Sequence, residues 1–229
     1  MKKRALVTGA TGFIGSNLVR KLVGVGWHVD AVVRPSSDLR LISDLRDAVN
    51  VIEFDGSIDR LNSILDRSRP DVVFHVASLF LSNHSSDQVQ QLIESNLHFG
   101  VQLLESMDNS GVKLFVNTST AWEHYQGDDY NPVNLYAATK KAFQQLQQFY
   151  IEAKGFQAIT LKLFDTYGPG DIRPKILNLL LKAAKDDQLI GVTPGDQKLD
   201  FVHIDDVVES YLLAAERLMT GRVSVHEEY

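Results

Sequence analysis

The chain has 229 residues, 44% of them hydrophobic, enough for one large domain, or a domain with a small appendage, around a sizeable core. A formal net charge of −6 argues against a general nucleic-acid-binding surface, and zero cysteines exclude disulfides and thiolate metal sites. No run approaches the roughly 20 apolar residues of a membrane span. The apolar stretch after Met1-Lys2-Lys3-Arg4 stops at Thr8-Gly9, too soon for a signal peptide, so a soluble, cytoplasmic protein is expected.

Short apolar runs alternate with helical patterns, the signature of βαβ units and a doubly wound parallel sheet, an α/β fold. The first predicted strand, 4–8, leads into Gly9-Ala10-Thr11-Gly12-Phe13-Ile14-Gly15, and a helix follows over 13–25. A strand that stops on glycines and restarts as a helix leaves N–H groups unpaired at the helix N-terminus, a site for a pyrophosphate. The glycines permit the turn, the approach of the ligand and the packing of helix on sheet. Gly9, Thr11, Gly12, Phe13, Ile14 and Gly15 are therefore candidate cofactor-binding residues.

A second strand, 28–33, ends at Arg34, nineteen residues beyond Gly15, where an acid reads a ribose hydroxyl and an arginine a 2′-phosphate. Arg34 favours NADP over NAD, with Asp38 close enough in sequence to neutralise it. The third strand, 51–54, delivers Asp55 and Gly56 toward the adenine; a helix covers 61–67. After the fourth strand, 72–75, Ala77 and Ser78 are small residues where a dinucleotide passes close to backbone. One helix is predicted over 89–109 and a strand over 114–117.

The next helix, 135–154, opens with Tyr136 and Lys140 one turn apart on one face. A phenol with a pKa near 10 is a poor base at neutral pH, and a neighbouring cation is expected to lower it. Such a phenol can exchange a proton with a sugar hydroxyl or ketone while hydride moves to or from a nicotinamide. Thr120 or Ser119, at the end of the preceding strand, would orient the same oxygen. Tyr150 and Lys154 repeat the spacing about 21 Å farther along the helix axis, toward the opposite sheet edge, where packing is expected.

After a strand at 158–163 the rhythm changes: a breaker at Gly168-Pro169-Gly170, a helix from Ile176, a turn at Thr193-Pro194-Gly195, a strand at 200–203 and a last helix over 205–218. Residues 1–165 are read as the dinucleotide-binding domain and 166–229 as a small, incomplete substrate lobe across the carboxyl edge of the sheet. His75 and His203 sit between apolar neighbours and are expected as hydrogen-bonded core histidines; no metal site is expected. Trp27 and Trp122 are expected to pack, Trp122 with the option of lining the pocket.

With the glycine turn, Arg34, Asp55, Thr120, Tyr136 and Lys140 in this order, the chain resembles the extended short-chain dehydrogenase/reductases. More narrowly it resembles the NAD-dependent epimerase/dehydratase family of nucleotide-sugar enzymes. Asn96, the segment from Leu163 and Phe164 to Pro169, and Asp200–Asp206 extend the resemblance over nearly the whole chain. It implies hydride transfer at C4 of a nucleotide-activated sugar, with Tyr136, Lys140 and Thr120 catalytic, Leu163 and Phe164 on the nicotinamide side, and a homodimer through the 89–109 and 135–154 helices. Dehydratases of the family carry Asp-Glu after the threonine; here Ala121-Trp122 stand there. The sixteen-residue step from Thr120 to Tyr136 is closer to the 4-ketoreductase branch, the CDP-abequose and CDP-paratose synthases. Leu199 replaces the family's diphosphate-binding arginine, Asp165 a common asparagine, and Arg173 or Lys175 is the candidate substitute. A dinucleotide-binding regulator without turnover, or a reductase of a non-nucleotide carbonyl, is the alternative.

Overall fold

The computed structural model describes residues 2–192, 194–195, 198–223 and 226–229. Seven parallel strands form one sheet: β1 (Arg4–Thr8), β2 (His28–Val33), β3 (Val49–Glu53), β4 (Val72–His75), β5 (Leu114–Thr120), β6 (Gln157–Leu163) and β9 (His226–Glu228). Their order across the sheet is β3-β2-β1-β4-β5-β6-β9. Strand order reverses between β1 and β4, the point where open α/β sheets leave a crevice at their carboxyl ends.

Alternation along each strand splits the core in two. Ala5, Val7, Val72 and Phe74 face one side, under α1 (Phe13–Gly24) and α7 (Ile204–Met219). Leu6, Val73 and Phe115 face the other, under α2 (Ile58–Ser68), α4 (Phe99–Ser110) and α5 (Leu135–Lys154). Both faces are dry, so the strands read as unbroken apolar runs. α7 packs with α1 through Val207, Val208, Tyr211 and Ala215, and β9 extends the main sheet beside β6.

The single helix expected over 89–109 is three pieces: α3 (Val89–Ile93), a π turn (Glu94–His98) and α4. Wider turns of this kind concentrate at functional sites, and Asn96 lies on this one. Beyond β6, β7 (Asp165–Tyr167) pairs in parallel with β8 (Phe201–His203), flanking α6 (Ile176–Lys185). Thr193 of the expected turn lies outside the described residues. His203 is not a core histidine: it is half-buried and caps α7, its Nδ1 accepting from the Asp205 N–H at 3.3 Å. No helix among the described residues is long and apolar enough to cross a membrane.

Candidate functional site

At the strand-order reversal, Gly9 turns with φ +72° and its α-carbon faces the backbone of Ala77; a Cβ would lie 2.6 Å from the Ala77 nitrogen. Gly15 is pressed harder, since a Cβ there would lie 2.1 Å from the Gly9 carbonyl oxygen. Gly12 is different: a Cβ would meet nothing closer than 3.5 Å. It is the N-cap of α1 and no side chain caps that helix end. The first-turn N–H groups of α1 therefore open toward a cleft of about 1460 Å³.

Gly9, Thr11, Gly12, Phe13, Ile14 and Gly15 line that cleft. So do Arg34, Asp55 and Gly56 at one end, Ala77 and Ser78 at the middle, and Thr120, Tyr136, Leu163 and Phe164 at the other. Lys140 does not line it; it is buried, 1% exposed, one turn behind Tyr136. Asn134 caps α5 by accepting from the Ala137 N–H at 2.9 Å, which places Tyr136 in the first turn. The Asn134 amide also donates to the Ser82 carbonyl at 3.1 Å.

Asn96 fastens the same loop from below. Its carbonyl accepts from the Leu79 N–H at 2.8 Å, and its amide donates to the Leu79 carbonyl and to Thr139 Oγ1, each at 3.0 Å. Thr139 lies between Tyr136 and Lys140, so the π turn, the loop after β4 and α5 hold one another. His75 is buried as expected. The Ala77 N–H donates to Thr8 Oγ1, leaving the Thr8 proton for His75 Nδ1 at 2.9 Å. Burial, with the Lys140 charge nearby, pushes the imidazole down to about 3.

The expected depression of the Tyr136 pKa does not occur. Burial dominates and pushes the phenol up to about 12, with the Glu123 carboxylate adding to the rise and the Ser78 hydroxyl opposing it. Burial likewise brings Lys140 down to about 8, against a raising effect of Glu123. At neutral pH both groups carry their protons.

Glu123 is the residue the sequence did not single out. It is fully buried; its Oε1 accepts from Ser119 Oγ and from Gln144 Nε2 (2.7 Å). In the sequence it is one carboxylate among several between Thr120 and Tyr136, and nothing distinguishes it from the exposed Asp128 and Asp129. Ser119 is tied into this network but lines the cleft together with Thr120, whose Oγ1 accepts from the Trp122 N–H at 3.3 Å. Trp122 and Phe80 line the same wall, and Phe80 stands edge-on to Tyr136 at 5.0 Å between centroids.

Asp38 pairs with Arg40, not with Arg34, and among the described residues the Arg34 guanidinium has no partner. Asp55 accepts from the backbone N–H and hydroxyl of Ser57, which hold its carboxyl below the usual range. On the lobe, Lys175 pairs with Asp165 at 2.6 Å and lies over the Phe80 and Trp122 rings. Arg173 is gripped by Asp171 and Thr166 and stacks on Phe13 at 4.5 Å. Tyr150, the second phenol of the spacing, is turned into the fold and donates to Glu105 at 3.0 Å.

Comparison with known proteins agrees with this geometry. The CDP-abequose synthase of Salmonella muenchen is 29% identical over 213 residues, covering 93% of this chain and 70% of that one. Protein CapI of Staphylococcus aureus is 29% identical over 247 residues, covering 99% and 72%. Among solved structures, the UDP-glucose 4-epimerase of Thermotoga maritima with UDP-glucose has a TM-score of 0.83 at 25% identity, over 92% of this chain and 72% of that one. The UDP-glucose 4-epimerase of Thermus thermophilus in complex with NAD has a TM-score of 0.82 at 25% identity, over 99% and 76%. The profile of one family spans residues 5–225, and this chain belongs to it: the NAD-dependent epimerase/dehydratase family.

Proposed function

We propose that the protein is an NAD(P)-dependent oxidoreductase or epimerase of a nucleotide-activated sugar, moving hydride at the sugar C4 with Tyr136 as the acid–base group. The observation that carries this reading is one cleft holding both a glycine-lined helix N-terminus and a phenol backed by a buried ammonium group. The residues fit a dinucleotide: Gly9 and Gly15 admit no side chain, Gly12 is open, and the end of α1 is uncapped. When bound, the dinucleotide supplies the hydride donor or acceptor. The unpartnered Arg34 supports NADP, while Asp55 and Gly56 hold the adenosine end and Leu163 and Phe164 flank the reacting end.

Thr120 orients the substrate oxygen, and Tyr136 gives its proton to that oxygen as it gains charge. A phenol that stays protonated to about pH 12 is set up to donate, which supports reduction of a 4-keto sugar. The likeness to CDP-abequose synthase supports the same substrate class. Epimerisation uses the same groups, with hydride returned after the ring turns over. Lys140, buried one turn behind Tyr136, stabilises the phenolate left behind. We divide the labour at residue 165, the dinucleotide on 1–165 and the sugar nucleotide on 166–229, in a cytoplasmic homodimer. The exposed Leu146 and Phe149 of α5 support that pairing.

Tyr136→Phe should lower turnover about 10²-fold or more, followed as NADPH oxidation with a 4-keto sugar nucleotide, and leave NADPH affinity unchanged. Turnover equal to wild type would leave a dinucleotide-binding protein without this chemistry. Reduction of simple carbonyls alone would point instead to a reductase of non-nucleotide substrates.

A further inference from the structure

We infer that a second pocket, under α2 and away from Tyr136, is a binding site for a small phosphorylated polyol of the sugar-phosphate type. Its volume is about 470 Å³, within the range of small-molecule sites. The strands prepare it by changing character along one face. Leu6, Val32 and Ile52 carry that face toward the cleft. At the other end of the strands, alternation puts Arg4, His28, Asp30 and Asn50 on the same side. α2 matches them: Leu61 and Leu65 bury its apolar stripe, and Arg60, Ser63, Arg67 and Ser68 recur at helical spacing along the pocket.

Three guanidinium groups therefore border one space, and none of them forms an ion pair among the described residues. Arg60 spends its Nε on the Glu53 carbonyl at 2.9 Å, while Arg4 Nε is buried with no acceptor. Asp71, the carboxylate beside Arg4, accepts from the Arg4 backbone N–H instead, at 2.8 Å. Cations gathered in one pocket repel one another until an anion comes between them. Planar forks of this kind match the oxygens of a phosphate.

The rest of the lining asks for hydroxyl groups. Asp30 is 2% exposed; its Oδ1 accepts from the Asn50 amide at 2.7 Å and lies 3.5 Å from His28 Nε2. Its Oδ2 accepts from none of the described residues. Ser68, 3% exposed, has its Oγ buried and unpartnered in the same wall. Buried polar atoms normally have a partner, so two of them left over beside the cations mark where one is missing. Among the described residues the His28 imidazole is the only ring in the lining, which leaves a nucleobase no wall to stack on. A sugar phosphate meets both demands, with its phosphate toward the arginines and its hydroxyls toward Asp30 and Ser68.

The test is an amide NMR titration of the full chain with NADPH present, using glucose 6-phosphate, inorganic phosphate and glucose as separate probes. Glucose 6-phosphate should shift His28, Asn50 and Ser68 saturably and leave Thr120 and Tyr136 unmoved. Inorganic phosphate should bind the same residues about 10-fold more weakly, and glucose should not bind. Arg67→Gln alters an exposed side chain and should weaken glucose 6-phosphate about 10-fold or more, with NADPH affinity unchanged. Arg60→Gln should weaken it likewise, so the result does not hang on the folding of one variant. Equal affinity for the ester and for inorganic phosphate would mean an adventitious ion only and overturns the assignment. So does the absence of saturable shifts, a response centred on Tyr136, or wild-type affinity in Arg67→Gln. The pocket stands apart from the proposed reaction, so a protein without hydride transfer would still bind the ester.

Discussion

Two side chains show how far residue type alone can be read. Arg34 follows directly on β2, exposed and without a side-chain partner among the described residues, because Asp38 turns to Arg40 instead. A guanidinium in that state is free to fork onto a phosphate, and charge-assisted pairs of this kind are the strong ones. Arg34→Ala should weaken NADPH binding about 10- to 100-fold and leave NADH nearly untouched, as read by fluorescence titration; equal losses would reject a 2′-phosphate role. Tyr136 shows the opposite case. Its spacing from Lys140 was legible, and so was its place at the start of α5. The sign of its pKa shift was not, because that sign depends on how much water the walls exclude and on a third charge, Glu123. Sequence spacing reports which groups are near; burial decides which protonation state survives.

At the scale of elements, β1, β2, β4 and α5 were readable to the residue, since two dry sheet faces demand apolar runs and α5 has both an Asn134 cap and a Gly155 end. β7 and β9 were not: each is three residues long, largely polar, and exists only through a neighbour that the rest of the fold supplies. The π turn was equally hidden, because the apolar periodicity runs through it without interruption. The glycine loop was legible as a motif, but the separate duties of its glycines emerge only in three dimensions. Gly15→Ala drives a methyl into the Gly9 carbonyl and should cost about 1–3 kcal/mol of stability. Gly12→Ala has room, and its extended φ of −84° suits any residue, so it should unfold at the wild-type denaturant midpoint. Its methyl would sit on the ligand side and weaken dinucleotide binding. Equal destabilisation by the two variants in urea would refute this division.

For the whole molecule, the polar centre beneath the cleft sets how stability responds to acid. Folded His75 stays neutral down to about pH 3, whereas the imidazole of an unfolded chain takes up a proton at 6.5. Throughout that window the unfolded chain binds more protons, so stability falls as pH falls through it. Between pH 7 and 5 the loss from His75 should be about 2 kcal/mol. His226, also lowered by burial, adds to it, while the depressed carboxyls of Asp38, Asp44, Asp55, Asp108 and Asp171 act below their ordinary value of 3.8. The penalty arises first because a protonated His75 would be a charge buried among the rings of Phe99, Phe115 and Phe143, and second because it would add a cation near Lys140. His75→Leu should therefore flatten the slope of unfolding free energy between pH 7 and 5, although it lowers stability at pH 7 by about 1 kcal/mol through the acceptor lost to Thr8. Urea unfolding at the two pH values measures both effects, and an undiminished slope in the variant would place the acid sensitivity elsewhere. A flattened slope would tie the stability of both sheet faces to the neutral imidazole that shares its pocket with the ammonium behind Tyr136.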